Sequence, residues 1–472
     1  MSKKPEKNKK PLDNEAEETK IPEKQDAASV EAEEFHDDVK TPLFTPQTVF
    51  EATESEDEND ENPKVEISEK AAEIEREEEA DTEKLAEEIL VDTVEATKNP
   101  FKRFAEYTKL SLKLKIENRK ERFQNYKALP SNDKKRWWID FLLNNAIYIV
   151  FLAFILYVWI YCYVEKDLNF LSSESLVNLI NRTAFSCFLA LGVGGVIVLT
   201  GTDLSAGRAM GLIACICASL LQAPGLANKM WPNMSPPPVF WVLVLALIVG
   251  ALIGLFNGFF TAKFKMHPFI STLGTSMILA GLVLMYVNMG NNGGVSITGL
   301  DTKYFNAING TFKFLGSDFP YYVIYAGLAI LLTWFIWNKT RLGKNMYAVG
   351  ANPEAANVSG VSVFWTTVLL FVYAGIMYGF SGFVDAARVG SNNPSTGVGF
   401  ELNAIAACVI GGVSFTGGVG KVRGIMLGVI LLQLVSVGLQ WLGVQPYFQS
   451  IITGFIILFA VAVDMRKYIA KK

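Results

Sequence analysis

Charge is nearly absent from the last 335 residues of this 472-residue chain, and that constrains its fold more than any other feature. Residues 138–472 hold 11 acidic and 18 basic side chains, far below the roughly 25% charged residues of a soluble domain. Apolar runs fill the same stretch. A helix needs about 20 apolar residues to cross the hydrocarbon core of a bilayer. Candidates lie near 140–163, 183–200, 206–222, 239–261, 269–288, 320–337, 364–385, 402–414, 424–442 and 447–464. The expectation is an all-α, polytopic transmembrane helix bundle of about ten spans over 138–472. The eighth candidate is the shortest. Short, glycine-flanked segments can be broken helices whose backbone is covered by protein instead of lipid.

The rest of the chain carries the charge. Residues 1–98 hold 32 acids and 13 bases, too polar to offset the entropy of ordering. They are expected to form a largely disordered acidic extension. Residues 99–137 reverse the sign, with 12 bases against 4 acids, and end in Trp137 and Trp138. A basic segment just ahead of a span points to anionic lipid, and not to nucleic acid. Met1 is followed by lysines and acids without an apolar run, so no cleavable signal peptide is expected.

An even number of spans puts both termini on one side. Alternation then gives the loops on the N-terminal side, together with the C-terminal tail, 12 basic residues, and the opposite loops 6. The bias makes the N-terminal side cytoplasmic.

Small residues foretell the packing. Gly250, Gly254 and Gly258 share one helix face, and Gly207/Gly211, Gly375/Gly379 and Gly424/Gly428 repeat the four-residue spacing. Such faces let helix backbones approach where lipid supplies no hydrophobic drive. The five cysteines, Cys162, Cys187, Cys215, Cys217 and Cys408, lie in apolar segments and read as small packing residues. Two histidines, His36 and His267, are too few and too far apart for a metal site. No metal or cofactor is expected.

Enzymatic motifs are missing. Before Gly420-Lys421 a phosphate-binding loop would need glycine where Phe415 stands, and before Gly343-Lys344 where Asn338 stands. No Ser-His-Asp set suggests itself either. The ionisable residues Asp203, Arg208, Asp385, Arg388 and Glu401 sit at predicted span ends, so no ion relay crosses the span centres. These observations argue against an enzyme and, for a transporter, leave room for an external energy source.

The loop 338–363 offers a handle for that source. Asn352 suits a helix N-cap, Pro353 its first turn, and Glu354 the positive end of its dipole. Ala355 and Ala356 favour helix and Gly360 can end it. A helix of about two turns is expected there, on the cytoplasmic side.

Four stretches in order make the chain resemble the permease subunits of ATP-binding-cassette sugar importers, in the branch that takes in galactose and ribose. They are VLTGTDLSAGRAMGL (198–212), NKTRLGKNMYAVGANPEAANVSGVSV (338–363), ELNAIAACVIGGVSFTGGVG (401–420) and PYFQSIITGFIILFAVAVDMRKY (446–468). The resemblance covers about 140–472. It implies a permease homodimer in the bacterial inner membrane, cytoplasmic ATPase subunits and an extracytoplasmic sugar-binding protein. It implies a monosaccharide cargo such as galactose, methyl-galactoside or glucose. A pentose such as ribose is the alternative cargo, and an ion-coupled sugar carrier the alternative mechanism. The segment Gly350–Gly360 would be the coupling helix that contacts the ATPase. Neutral sugars need hydrogen bonds and apolar faces, so Asp203, Ser205, Arg208, Asn257, Thr272, Thr275 and Asn403 are candidates for the translocation path. The outer loops Gly290–Gly299 and Gly390–Gly399 are candidates for docking or gating. Gly201–Arg208 and Gly411–Gly420 look faintly alike, as an internal repeat would. Members of this family usually begin near their first span, so the resemblance implies no role for the acidic extension or the basic segment.

Overall fold

In the computed structural model the described residues are Ala146–Glu165 and 172–469 apart from 315, together with Pro130, Lys134, Lys135, Trp138, Asn169 and Phe170. The acidic extension and nearly all of the basic segment lie outside them. The helices are α1 (Ala146–Glu165), α2 (Ser173–Val198), α3 (Ala206–Leu220), α4 (Val239–Phe264), α5 (Pro268–Val287), α6 (Thr302–Asn309) and α7 (Tyr322–Lys339). They continue as α8 (Arg341–Ala351), α9 (Pro353–Val358), α10 (Val363–Val389), α11 (Phe400–Ile410), α12 (Val422–Trp441) and α13 (Pro446–Ile469). Two small antiparallel sheets accompany them. β1 (Ile297–Thr298) pairs with β4 (Ser391–Asn392), and β2 (Thr311–Phe314) forms a hairpin with β3 (Ser317–Pro320).

Ten of these helices fall on the ten apolar segments. Among the described residues, α2, α4, α5, α7, α10 and α12 are long and apolar enough to cross a membrane. The apolar stretch of α1, and α3 and α11, are shorter, and α13 has 24 residues. The protein is a multi-pass membrane protein. The eighth apolar segment is an 11-residue helix, which at about 1.5 Å per residue covers only some 16 Å. The second helix starts ten residues earlier than its hydropathy suggests. Ser172 accepts a hydrogen bond from the Ser175 amide, and Glu174 sits in the first turn, so the start is set by capping. The polar Asn178, Asn181 and Arg182 then lie inside the helix instead of before it.

The arrangement repeats. In the first half α3 packs on both α4 and α5, and in the second α11 packs on both α12 and α13. The two halves exchange partners: α10 packs on α3 and α4, and α2 packs on α11 and α12. So α2–α5 and α10–α13 are equivalent quartets. Gly201–Arg208 follows the first helix of its quartet, whereas Gly411–Gly420 follows the second helix of the other. Their faint likeness is therefore not the repeat.

The glycine faces lie where backbones meet. A methyl group at Gly250 would land on the Gly375 carbonyl oxygen, and one at Gly375 on the Gly250 carbonyl oxygen. Only a residue without Cβ permits this α4–α10 approach. Gly424 and Gly428 meet the backbone at Gly411 and Ala407 in the same way, closing α12 against the end of α11. All five cysteines are free and buried. Elsewhere α5 buries Thr272, Thr275, Leu279 and Val283 on one face and exposes Leu273, Met277, Ile278 and Met285 on the other, as expected of a helix between protein and lipid.

Candidate functional site

Between α7 and α10 the chain leaves the bundle as two consecutive short helices. Thr340 caps α8, its hydroxyl accepting from the Gly343 amide. Asn352 ends α8 and caps α9, its Oδ1 accepting from the amides of Glu354 and Ala355 at 3.0 Å each. Pro353 occupies the first turn of α9, and Gly360, at φ 81°, turns the chain back. Glu354 and Ala355 are exposed, Ala356 is buried underneath, and Val358 is 90% exposed. The expected helix is present but shorter. The preceding α8 was not expected, because its glycines and Asn345 disguise it as loop.

This arm is tied to the bundle. The Gly418 amide donates to the Val198 carbonyl at 2.9 Å. The Tyr347 hydroxyl donates to the Gly420 carbonyl at 2.8 Å. A methyl at Gly350 would strike the Val198 carbonyl oxygen and would lie 2.7 Å from the Gly418 nitrogen. The α8 helix, the end of α2 and the loop between α11 and α12 thus meet as backbone on backbone.

The predicted path residues form two separate groups. Asp203, Ser205, Asn257 and Thr272 are all buried. Asp203 accepts from the Ser205 amide at 2.8 Å, the Ser205 hydroxyl at 2.6 Å and the Tyr378 hydroxyl at 3.0 Å. The Asn257 amide donates to the Ser205 hydroxyl, and Thr272 bridges to the Thr202 carbonyl and the Leu204 amide. Thr275 bonds back to Ser271 within α5. Arg208 donates to the Pro394 carbonyl. The structure joins the loop before α3 to α3, α4, α5 and α10 through these residues. Only Asn403 stands apart from them, on the wall of a cavity.

That cavity has a volume of about 520 Å³ and lies between α2, α11, α12 and α13, beside the start of α7 and the end of α10. The α8–α9 arm joins the end of α7 to the start of α10, so the cavity is at the opposite end of the bundle. Six amide side chains line it: Asn178, Asn181, Asn403, Gln433, Gln440 and Gln449. Ser186, Ser436 and Thr453 add hydroxyls. Phe185 and Phe400 meet edge to face at 5.9 Å. The Arg388 guanidinium lies 4.0 Å from the Phe185 ring centre and pairs with Asp385 at 2.8 Å. Arg182 donates to the Asn178 oxygen at 3.1 Å. Asn403 was a path candidate and Asp385 and Arg388 were noted only as charges at span ends; the other residues were not singled out by sequence, although a signal existed. Asn178/Asn181, Gln433/Ser436/Gln440 and Gln449/Thr453 recur three or four residues apart, which places each set on one helix face.

The two outer loops meet each other. Ile297 pairs with Asn392 and Thr298 with Ser391. Gln222, after α3, donates to the Thr298 carbonyl and accepts from the Met230 amide, so three loops form one rim beside α3.

The family model described as "Branched-chain amino acid transport system / permease component" matches residues 175–461. The chain belongs to this permease family. Among its relatives, the galactose/methyl galactoside import permease protein of Escherichia coli is 43% identical over 72% of this chain and 98% of its own. That of Treponema pallidum is 38% identical over 71% of this chain and 64% of its own. The ribose import permease protein of Bacillus subtilis is 34% identical over 63% of this chain and 87% of its own. No solved structure matches. The permease is therefore a transport component of the type found in sugar import systems.

Proposed function

We propose that this permease is the membrane subunit of an ATP-driven, binding-protein-dependent monosaccharide importer. It works as a homodimer by alternating access, with both termini in the cytoplasm. The carrying observation is the α8–α9 arm. It presents an exposed, well-capped helix to a partner, and its root touches α2 and the α11–α12 loop through Gly350 and Gly418. A push on α9 is thereby delivered to helices whose other ends line the cavity. Gly350, Asn352, Pro353, Glu354, Ala355, Ala356 and Gly360 form the coupling element toward the ATPase. The cargo is galactose, methyl-galactoside or glucose, in keeping with the relatives' names.

Asp203, Ser205, Asn257, Thr272 and Thr275 serve as scaffold, because the first three bond to one another and the two threonines bond to backbone groups. The rim made by the loops 290–299 and 390–399 receives the sugar-binding protein. One observation favours an ion-coupled carrier instead: the Glu401 Oε2 atom is buried without a hydrogen-bond partner.

Uptake by proteoliposomes containing the chain, its ATPase and its binding protein separates the two readings. Galactose accumulation should require ATP and both partners. Uptake that ran without ATP and collapsed with an ion gradient would establish the carrier. As a check on the coupling element, the Gly350→Pro/Glu354→Arg double change should abolish ATPase association. Normal association would remove the arm from its role.

A further inference from the structure

We propose that the amide-lined cavity is a binding site for one neutral monosaccharide, built inside a single permease subunit. This rests on the importer reading above and adds a specific stopping place for the sugar.

The chemistry of the walls selects the ligand. Each amide offers donors and acceptors together, which matches a hydroxyl, itself both donor and acceptor. The lining residues include no Asp or Glu, so nothing there attracts a cation. Arg388 is compensated by Asp385, and Arg182 gives its Nε to Asn178. Asn178, Gln433 and Gln449 each make one hydrogen bond within the protein, and a purely apolar ligand would leave the remaining amide groups without partners, at a cost of about 1–3 kcal/mol for each one left unsatisfied. The Phe400 ring supplies an apolar surface for the C–H face of a pyranose, while the Phe185 ring carries Arg388 on one face. The size fits, since small-molecule sites occupy roughly 300–1,000 Å³.

One wall atom still lacks a partner. The Asn181 Oδ1 is buried and accepts no hydrogen bond, whereas the neighbouring Gln433 amide is held by the Ser186 hydroxyl at 2.8 Å. That atom has no surface open to the cavity, so a ligand hydroxyl reaches it only when the Asn181 side chain rotates. Two walls, α2 and α12, also meet the root of the coupling arm. The Val198 carbonyl of α2 contacts Gly418 and Gly350, and α12 follows that same loop. Sugar occupancy and the position of the arm are therefore mechanically linked.

Cysteine chemistry on the full importer tests the site. The five native cysteines are buried, so Ser436→Cys supplies one reactive thiol on the cavity wall. A small charged thiosulfonate reagent should modify it, modification should stop galactose uptake, and D-galactose should slow labelling at least fivefold. Asn181→Leu and Gln433→Leu should each lower galactose uptake tenfold or more. If those variants reach the membrane in normal amounts and transport at wild-type rates, the site is refuted. Labelling of Ser436→Cys that galactose leaves unchanged refutes it as well, whether or not the leucine variants fold. Wild-type importer without uptake of any monosaccharide would instead defeat the importer reading itself.

Discussion

Asp203 shows how a polar residue survives inside an apolar bundle. It accepts three hydrogen bonds from two residues, Ser205 and Tyr378, so the desolvation of its carboxyl group is compensated locally. Removing the acceptor strands all three donors, while removing one donor strands little. Tyr378→Phe should therefore destabilise the purified protein by about 1 kcal/mol, and Asp203→Ala by more, with each buried unsatisfied group costing about 1–3 kcal/mol. Thermal unfolding in detergent gives both values, and equal shifts would contradict the network. The residues were visible in the sequence as polar outliers at span ends. Their division into scaffold and cavity wall was not, because it depends on which helices surround each one.

At the scale of elements, the proposed coupling arm rests on one backbone contact. The α8 helix reaches the end of α2 only because Gly350 has no side chain. Gly350→Val would hold the two backbones apart while leaving the exposed face of α9 intact. The expected result is normal copurification with the ATPase but galactose uptake reduced tenfold or more. Equal loss of both would mean that the arm had misfolded. At this scale the sequence was partly legible. The Asn-Pro-Glu signature foretold α9, and the four-residue glycine spacing foretold close backbone packing, although not that α4 and α10 would be the pair that meets. The start of α2 was obscured because Arg182 reads as a membrane boundary when its partner Asn178 is unknown. The β1–β4 pairing joins residues 297–298 to 391–392, and no local pattern reports so distant a contact.

The whole molecule combines a family-wide permease with an added N-terminal region. The Escherichia coli relative aligns over 98% of its own length but only 72% of this chain, and the family match begins at residue 175. Transport should thus reside in the bundle. A chain lacking residues 1–98 should sustain galactose uptake within about twofold of wild type, measured per molecule in the membrane. A tenfold loss would assign the extension a direct part in transport.

The pairing of β1 with β4 makes a fixed jaw of the rim beside α3. The ladder fastens the loop after α5 to the end of α10, and both strands rest on α3. On the other side of the cavity, α11, α12 and α13 are not held by this clasp. The fixed jaw can then be locked without penalty: a disulfide between Thr298→Cys and Ser391→Cys should leave uptake unchanged. An opening of the cavity that left this ladder paired would have to move α11–α13, and would break the close contact of Gly207 in α3 with Gly397 and Glu401 at the start of α11.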